Sequence, residues 1–267
     1  MKGVALGGAV VAITGASAGI GWASALAFAR AGSRLALSAR RVERLETLAA
    51  EIRALGSEAL VMAADVAIAA DVQRFVGAAV ARFGRLDVMV NNAGSGVRGR
   101  VEETPVEDYR RLMEVNYLGT VHGCQAALAV MRAQGRGVII NVSSIVGHRA
   151  LAGGAAYAAT KAAQVSLTES LRVELRGTGI TACSVHPVTT VTEFADVAAQ
   201  ASAGRKGGPV GPRQSADAVA RAIVACARRP RPEVYPYRLS RAVVWLNALA
   251  PGLVDWLVAR TVGPNVR

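Results

Sequence analysis

Short apolar runs alternate with longer stretches of helical periodicity along most of the chain. Each short run is continuously apolar, as expected when a parallel sheet is covered on both faces. The predicted strands are Ala9–Thr14, Arg34–Ser38, Glu58–Ala63, Leu86–Val90, Gly137–Val142, Ile180–Val185 and Glu233–Tyr235. The predicted helices between them are Gly19–Ala31, Val42–Leu55, Ala70–Phe83, Val106–Ala133, Gly154–Arg176 and Ser215–Ala227. This alternation predicts an α/β fold with a doubly wound parallel sheet.

The 267 residues suit one large α/β domain better than two small ones. We place this domain at residues 1–230 and assign residues 231–267 to a C-terminal extension. One stretch of the domain, Val191–Pro212, has poor periodicity and is predicted to be a mobile loop or a set of short helices near a ligand.

The C-terminal extension carries an apolar run, Ala242–Ala259, which contains Trp245 and Trp256 and follows several arginines. Pro251 and Asp255 interrupt the run, so a helix that spans a membrane is not expected. Two tryptophans beside arginines would suit a helix or hairpin that lies on anionic lipid. The alternative, which is more usual in globular proteins, is a helix pair packed on the domain or in a subunit interface.

Composition narrows the class of partner. Hydrophobic residues make up 52% of the chain and aromatic residues only 4%, which predicts a core mainly of Ala, Val, Leu and Ile. The net charge of +12 is compatible with nucleic acid, an anionic membrane surface or a phosphorylated ligand. The arginines are scattered without interleaved aromatic residues, and there is no helix-turn-helix or zinc-ligand pattern. We therefore expect no nucleic-acid partner.

The cysteines are few and widely spaced, which predicts reduced, buried thiols in a cytoplasmic protein. They are Cys124, Cys183 and Cys226. The three histidines, at positions 122, 148 and 186, show no metal-ligand spacing, so no metal is predicted. The apolar N-terminal stretch runs straight into a glycine-rich motif and predicts a first strand rather than a signal peptide.

The first predicted strand ends in a glycine-rich turn, and a helix follows. A strand, such a turn and a helix form the setting of a dinucleotide-binding site. There, Gly15 permits the tight turn, Gly19 lets the backbone approach a pyrophosphate, and Gly21 allows the helix to pack closely on the strand. Ser17 and Ile20 of the same turn are further candidates for cofactor contact. The helix N-terminus offers N–H groups to the phosphates.

The second predicted strand leads into Ala39, Arg40 and Arg41. An acidic residue here would bind the ribose 2′-hydroxyl of NAD, whereas arginine favours the 2′-phosphate of NADP. We therefore expect NADP(H) in preference to NAD(H), with a solvated helix start as the alternative explanation of the arginines. Asp65 and Val66 close the third strand, where a side chain can reach the adenine.

Asn92, Ala93 and Gly94 follow the fourth predicted strand. Ligands of doubly wound sheets lie outside the carboxyl ends of the strands. Small residues at this place suit close passage of a cofactor, although the same sequence also forms ordinary turns.

The candidate for the chemistry is the pair Tyr157 and Lys161, which lies in a predicted helix. Residues four apart share a helix face, so the hydroxyl and the ammonium can approach the same point. A nearby cation lowers the pKa of a phenol and makes it a usable proton donor or acceptor. Lys161 is one of only three lysines among 31 basic residues, the others being Lys2 and Lys206. This rarity indicates a position that needs a compact ammonium.

With the glycine turn, the Asn-Asn-Ala-Gly sequence and the Tyr157/Lys161 pair in this order, the chain resembles the short-chain dehydrogenase/reductase superfamily. The resemblance implies a single Rossmann-type domain with seven parallel strands and NAD(P)-dependent oxidoreduction of alcohols and carbonyls. It implies that Tyr157 is the general acid/base and that Lys161 is its partner, which also holds the nicotinamide ribose. Ser144, 13 positions before Tyr157, would bond the substrate oxygen, and Asn116 would anchor a water-linked proton relay to Lys161. A homodimer or homotetramer paired through the long helices is also implied.

The chain departs from the family pattern after the sixth strand, where the family usually has Pro-Gly and then Thr. Here Val188 follows Pro187. This replacement leaves open how the backbone passes the nicotinamide. Thr190 or Thr192 is a candidate for contact with the carboxamide, and backbone groups of Val188 or Val191 are equally so.

We expect the substrate to lie over the carboxyl ends of the later strands, between Ser95–Arg100, Gly147–Gly154 and Thr192–Gly211. These segments contain few acids, so a lipophilic carbonyl or alcohol fits them. The sequence thus predicts an NADP(H)-dependent oxidoreductase that interconverts an alcohol with a ketone or aldehyde. The alternatives are an NADP-binding regulatory or scaffold protein without turnover and a nucleic-acid-binding module, which only the charge of +12 favours.

Overall fold

The computed structural model of the protein describes residues 2–205 and 211–261. Its strands, in chain order, are β1 (Val10–Thr14), β2 (Arg34–Ala39), β3 (Ala59–Ala63), β4 (Val88–Asn91), β5 (Gly137–Val142), β6 (Ile180–Val185), β7 (Thr189–Val191), β8 (Arg213–Ser215) and β9 (Glu233–Val234). Within these described residues, seven strands form one sheet in the order β3-β2-β1-β4-β5-β6-β9, and β7 pairs with β8. Each neighbouring pair is parallel. The seven predicted strands and the doubly wound Rossmann-type sheet are confirmed.

The helices, in chain order, are α1 (Gly19–Arg30), α2 (Val42–Ala54), α3 (Ala69–Phe83), α4 (Val106–Leu112), α5 (Gly119–Gln134), α6 (Ala155–Glu174), α7 (Phe194–Ala201), α8 (Ala216–Arg228), α9 (Ser240–Leu249) and α10 (Pro251–Thr261). Successive strand residues face opposite sides of the sheet, and each side has its own core. Val11 and Ile13 pack with Phe28 of α1 on one face. Val10 and Ala12 pack with Phe75 of α3 on the other. Because helices cover both faces of the sheet, both sets of strand side chains are buried, and the strand sequences are continuously apolar.

The strand order reverses between β1 and β4. β1 pairs with β2 on one side and with β4 on the other, so the chain first builds outward and then returns across β1. In doubly wound sheets, a reversal of this kind opens a crevice at the carboxyl ends of the strands, and ligands bind there. The turns that follow β1 and β4 are the Gly15 and Asn92 turns of the sequence analysis.

The prediction of one long helix over Val106–Ala133 is wrong in one respect. A π-helical segment, Met113–Leu118, separates α4 from α5. A π-turn holds more residues than an α-turn, and such segments occur mainly as local bulges at functional sites. Here the segment contains Asn116, whose side chain is fully buried.

One boundary also differs from expectation. β9 lies beyond residue 230, so the segment assigned to the extension supplies the seventh strand of the sheet. The stretch Val191–Pro212, expected to be a mobile loop or short helices, contains the short helix α7 and leads into β8, and its residues 206–210 lie outside the described residues. The free, buried state of all three cysteines agrees with the prediction of reduced thiols.

The apolar run of the C-terminal extension forms two short helices, α9 and α10, broken between Leu249 and Pro251. Among the described residues, no helix combines the length and hydropathy needed to cross a membrane. The pair contacts the domain through an ion pair of 2.7 Å between Arg149 and Asp255 and through a hydrogen bond from Asn247 to the His148 carbonyl.

Candidate active site

The glycine turn after β1 has no room for side chains. Gly15 and Gly19 have positive φ angles of 66° and 54°, which favour glycine. A Cβ on Gly15 would lie 2.7 Å from Ala93 Cα, and one on Gly19 would lie 2.9 Å from Thr192 Cγ2. At Gly21 it would lie 2.3 Å from the Gly15 carbonyl oxygen. The turn therefore keeps the space and the backbone shape that a pyrophosphate needs.

The Asn-Asn-Ala-Gly turn after β4 is fastened to the end of β1. Asn92 donates hydrogen bonds through Nδ2 to the carbonyl oxygens of Thr14 and Gly15, at 3.0 and 3.1 Å. The Thr14 hydroxyl accepts from the backbone N–H groups of Asn92 and Ala93. These bonds hold the two turns together across the crevice, with Gly94 exposed beside them.

Two arginines converge beside the glycine turn. Arg41 donates a hydrogen bond of 3.1 Å to the Ser17 hydroxyl and forms an ion pair with Glu193. Arg44 reaches the other carboxylate oxygen of Glu193 at 2.6 Å. These hydrogen bonds hold the pKa of Glu193 below its usual value. Arg40 is exposed.

Sequence reasoning missed Arg44 and Glu193. Arg44 follows Arg41 by one helical turn, a signal that was available, but Glu193 lies far along the chain. An open cavity of about 320 Å³ lies here, lined by Ser17, Ala18, Gly19, Trp22, Arg44, Thr47 and Glu193.

Asp65 and Val66 lie just beyond β3. The Asp65 carboxylate accepts from the Ala67 backbone N–H at 3.0 Å and so shapes its own turn. Val66 is buried, and its carbonyl oxygen lies 2.9 Å from His122 Nδ1. Both residues stand at the same edge of the sheet as the glycine turn.

The two serines after β5 have separate roles. Ser143 is buried and donates a hydrogen bond of 2.9 Å to the Lys161 carbonyl, which ties β5 to α6. Ser144 caps the short 3₁₀ turn Ile145–Gly147 by accepting from the Val146 N–H. It also donates a bond of 3.4 Å to the Pro187 carbonyl. Of the two serines, Ser144 is the one that hydrogen-bonds the Tyr157 side chain.

Tyr157 stands in the first turn of α6 and packs against Phe194 of α7, with ring centroids 5.5 Å apart. Burial raises the pKa of the Tyr157 phenol, and a hydrogen bond with Ser144 acts in the opposite direction. The expected lowering of this pKa by Lys161 is not found. Lys161 Nζ lies 5.6 Å from the centroid of the Tyr157 ring.

Lys161 is only 3% exposed. Its Nζ donates to the Val142 carbonyl and to Gln164 Oε1, both at 2.9 Å. An ammonium has three donors, so these bonds use two of them. Burial lowers the pKa of Lys161 to about 7 because the charged form loses its hydration.

Asn116 fastens the loop after β4 to α6. Its side chain exchanges two hydrogen bonds with the Ser95 backbone, at 2.7 and 2.9 Å. It also donates to the Thr160 hydroxyl at 2.9 Å. The Asn116 carbonyl accepts from Gln164 Nε2 at 2.7 Å and from the Thr120 hydroxyl at 2.7 Å. Gln164 was not among the predicted site residues.

The segment after β6 keeps an ordered path although it has valine where the family has glycine. Val188 is buried, and among the described residues only Ala203 is a non-glycine residue with positive φ. The Val188 carbonyl accepts from the Thr190 hydroxyl at 3.0 Å, while the Thr192 hydroxyl accepts from the Phe194 N–H. The Thr192 side chain covers Gly19, so of the two threonines it is the one beside the glycine turn.

A partly buried aromatic network lies behind Ser144 and Pro187. His186 is fully buried and stacks on Tyr235, with ring centroids 4.9 Å apart and His148 beside it at 4.5 Å. The Tyr235 hydroxyl donates to Glu233 at 2.9 Å. The ligand-type atoms of His148, His186 and Glu233 lie within 4.8 Å of one another. The linear spacing gave no sign of this cluster because β9 brings in its last members.

The three predicted substrate walls meet through hydrogen bonds. Gly99 N–H donates to the Gly153 carbonyl at 3.0 Å, and Arg98 N–H donates to the Ser202 hydroxyl at 2.7 Å. Arg205 forms an ion pair of 2.5 Å with Asp108. Val97 is buried in this region, and the Phe194 ring is partly exposed over Tyr157.

The residues around the crevice fit a nicotinamide dinucleotide. The glycine turn leaves space that a Cβ would fill, and α1 begins at Gly19 without a side-chain cap. Its first N–H groups are therefore available to phosphate oxygens. Lys161 has a third donor, and the Thr192 side chain closes over Gly19. The glycine turn and the first turn of α1 would hold the pyrophosphate, Lys161 would hold the ribose, and Thr192 would lie at the nicotinamide end.

The comparisons with known proteins cover this whole region. The sequence pattern of the short chain dehydrogenase family matches residues 9–203. The chain is 34% identical over 256 residues to the uncharacterized oxidoreductase YxnA of Bacillus subtilis. The aligned region covers 94% of this chain and 71% of that protein.

Two solved structures have a similar fold. A short-chain dehydrogenase/reductase from Burkholderia phymatum in complex with NAD has a TM-score of 0.85 and 28% identity, covering 94% of this chain and 96% of its own. An alcohol dehydrogenase from Thermococcus sibiricus complexed with 5-hydroxy-NADP has a TM-score of 0.74 and 33% identity, covering 85% and 95%. The family match includes all four candidate catalytic residues, at positions 116, 144, 157 and 161.

Proposed function

The chain belongs to the short-chain dehydrogenase family, and on that premise we propose that it is an NADP(H)-dependent oxidoreductase that interconverts an alcohol with a ketone or aldehyde. The observation that supports this proposal is the meeting of Ser144, Tyr157 and Lys161 at the carboxyl ends of the strands, beside the glycine turn. Structural neighbours with NAD and with 5-hydroxy-NADP support a nicotinamide cofactor.

A nicotinamide dinucleotide held by the glycine turn and Lys161 would supply the hydride for the substrate carbonyl carbon in the reductive direction. Ser144 and Tyr157 then place two hydroxyl groups at the oxygen where negative charge develops. Tyr157 donates the proton, which its phenol carries at neutral pH because burial raises the pKa. The ammonium form of Lys161 places a positive charge beside the ring and has a donor left for a ribose hydroxyl.

Tyr157→Phe tests the catalytic half of the proposal. The variant keeps the ring that packs on Phe194 but loses the proton donor, so turnover should fall by about 100-fold or more. NADPH binding, followed by fluorescence, should remain. Tyr237→Phe is the matched control, because that residue lies in the C-terminal segment, and it should keep full turnover. Carbonyl reduction that survives in Tyr157→Phe would overturn the assignment.

NADPH preference rests on the arginines after β2. We propose that Arg40 and Arg41 bind the 2′-phosphate, with Arg44 beside them. Replacing Arg40 or Arg41 by Ala should weaken NADPH binding about tenfold or more, since a bond to a charged group contributes roughly 1.5–3 kcal/mol. NADH binding should hardly change. Arg53→Ala, at the far end of α2, is the matched control, and equal effects on both cofactors would refute the preference.

A lipophilic carbonyl or alcohol is the proposed substrate class. Val97, Val146, Leu151 and Phe194 line the expected walls, and the nearby acid Asp108 is paired with Arg205. A screen of uncharged ketones of increasing apolar area should show KM values that fall with that area. A preference for carboxylate-bearing substrates would contradict this class.

A non-catalytic regulatory or scaffold protein is the alternative. It would bind NADPH but show no carbonyl reduction with any substrate in that screen. No feature of the site favours it.

We also propose that the protein pairs with itself through the faces of α5 and α6, as the family implies. Light scattering behind a sizing column checks this. A charged substitution at exposed Val173 of α6 should lower the mass if that face is paired, and an unchanged mass would place the interface elsewhere.

The α9–α10 pair presents an apolar surface, which we propose binds anionic lipid. Its exposed apolar side chains are Leu239, Val243, Trp245, Leu246, Leu249, Leu253, Trp256 and Leu257. Arg241 lies over Trp245, and Arg260 lies over Trp256 at 3.5 Å, so each helix carries a tryptophan beside a cation. Tryptophans and cations together favour a membrane interface. A second copy fits less well, because a two-fold contact would bring the same arginines face to face.

Co-sedimentation with vesicles of phosphatidylcholine, with and without phosphatidylserine, tests the lipid surface. Binding should require phosphatidylserine, weaken with salt, and be lost in the double variant Trp245→Ala/Trp256→Ala. Arg228→Gln is the control on the neighbouring helix. Absence of vesicle binding would refute the proposal, and a lower mass of the double variant without lipid would assign the surface to a second copy.

A further inference from the structure

Gln164 is buried between the catalytic lysine and the π-helical segment. It lies three residues after Lys161 on α6 and has no exposed surface. Its Oε1 accepts from Lys161 Nζ at 2.9 Å. Its Nε2 donates to the Asn116 carbonyl at 2.7 Å and to the Thr120 hydroxyl at 2.6 Å. All the donors and the carbonyl of this amide are therefore engaged inside the protein.

These contacts change the role expected for Asn116. The family resemblance implies that a water molecule bridges Asn116 and Lys161 and passes protons between them. Here the amide of Gln164 makes the bridge directly and meets the Asn116 carbonyl. A carboxamide has no proton that ionises near neutral pH and no basic nitrogen, so it cannot carry protons as water does.

The bridge also fixes the ammonium group. Lys161 Nζ has two acceptors, the Val142 carbonyl and Gln164 Oε1, on different elements. Among the described residues, Tyr157 is the titratable group that faces it, while β5 places the Val142 carbonyl beside it and the loop after β4 places Gly94 there. Without Gln164, the ammonium would keep one carbonyl in a dehydrated site, and a buried cation with fewer partners is costly.

We propose that Gln164 is a positioning residue of the active site, which holds Lys161 charged and aimed at Tyr157 and replaces a proton-conducting water with a fixed hydrogen bond. This inference deepens the proposed function and rests on it for the role of Lys161. In this arrangement Lys161 acts as a fixed charge and ribose anchor, and the Asn116 carbonyl accepts from Gln164 and Thr120.

The test reads the titration of Lys161 directly. The chain has lysines only at positions 2, 161 and 206, so NMR of ¹³C-lysine-labelled protein gives three ε-methylene signals, and Lys161→Met assigns the buried one. Its midpoint should lie near the lowered pKa of about 7 in the wild type. Gln164→Leu, which removes the acceptor and excludes water, should move it down by about one pH unit or more. Gln164→Glu should move it up, because a carboxylate favours the ammonium.

Gln164→Ala separates positioning from packing. It removes the acceptor of Lys161 but leaves space for water, so the Lys161 midpoint should fall by less than in Gln164→Leu, although the melting temperature falls in both variants. If the Leu and Glu variants keep the wild-type midpoint, the proposal is wrong, whatever their stability. If Gln164→Leu does not fold, the upward shift in Gln164→Glu still decides. Failure of the protein to bind NADPH would refute the proposed function but leave the NMR result intact.

Discussion

Glu193 is a side chain that we expect to influence cofactor affinity without being a cofactor ligand. In the structure it neutralises Arg41 and Arg44, the cations proposed to meet a 2′-phosphate. A phosphate must compete with this carboxylate, since both need the same guanidinium donors. The acid just before α7 and the arginines at the start of α2 therefore form a contact that a 2′-phosphate would have to displace.

Glu193→Gln should raise the affinity for NADPH. Ion pairs of exposed groups contribute roughly 0.2–1 kcal/mol, so the expected gain is up to about fivefold. NADH affinity should stay the same because it lacks the competing phosphate. Parallel fluorescence titrations of the two cofactors measure this. An unchanged or weaker NADPH affinity would show that Glu193 does not compete.

Sequence motifs predicted the site residues that fixed spacing brings together, but not the residues whose role depends on a partner from a distant element. Ser144, Tyr157 and Lys161 were predictable because fixed spacing carries them to one end of the sheet. Gln164 and Glu193 were not, because their partners lie on α5, the π-helical segment and α2. Val188 stands where the family usually has glycine, which left the backbone path open. Its φ is not positive and its side chain is buried, so this position does not require glycine.

The turn between β1 and α1 needs glycine for two reasons, close contact between elements and positive φ angles. The effect of close contact can be tested alone at a glycine whose φ is not positive. Gly21 has no positive φ, yet a Cβ there would meet the Gly15 carbonyl at 2.3 Å and Asn92 Nδ2 at 2.6 Å. Gly77, in the middle of α3, has nothing within 4 Å of such a Cβ. The two positions form a matched pair.

Gly21→Ala should destabilise the protein and weaken NADPH binding, because the added methyl forces the turn and α1 apart. Overpacking of this kind costs about 1–3 kcal/mol. Gly77→Ala should stabilise the fold by about 0.5–1 kcal/mol through helix propensity. Urea unfolding of both variants provides the measurement. Equal effects would mean that the glycine turn is not tightly packed.

Among the elements, apolar runs predicted strand positions to within a residue or two, because burial on both faces leaves a plain signal. The hydrophobic pattern predicts a single helix from Val106 to Ala133 and gives no sign of the π-helical segment inside it. Over only six residues, the period of a π-helix differs too little from the roughly 3.6 residues of an α-helix to be detected. The small pair β7–β8 was missed because its strands have only three residues each and partners far apart in sequence.

Across the whole molecule, His186 links stability to pH. Burial lowers its pKa to about 3 in the folded chain, whereas an unfolded histidine titrates near 6.5. Between these values the unfolded state binds more protons, so the free energy of unfolding falls as pH falls below about 6.5. The loss can reach about 1.4 kcal/mol per pH unit for this one group.

His186→Phe should make stability less dependent on pH between about 6.5 and 5, because phenylalanine keeps the stacking on Tyr235 but does not titrate. The slope of the unfolding free energy against pH, from urea titrations, is the quantity to compare. A slope equal to that of the wild type would mean that His186 is not the linked group.

β9 also fixes the order in which the protein can be completed during its synthesis. The chain emerges from the N-terminus, and domains fold as their segments appear. Ser184 and Val185 of β6 pair with Glu233 and Val234, and His186 stacks on Tyr235, so these contacts form only after residues 233–235 have been made. A nascent chain stopped before residue 233 therefore presents β6 as an open sheet edge. Because β9 closes that edge, chains truncated before β9 should be prone to pair through it.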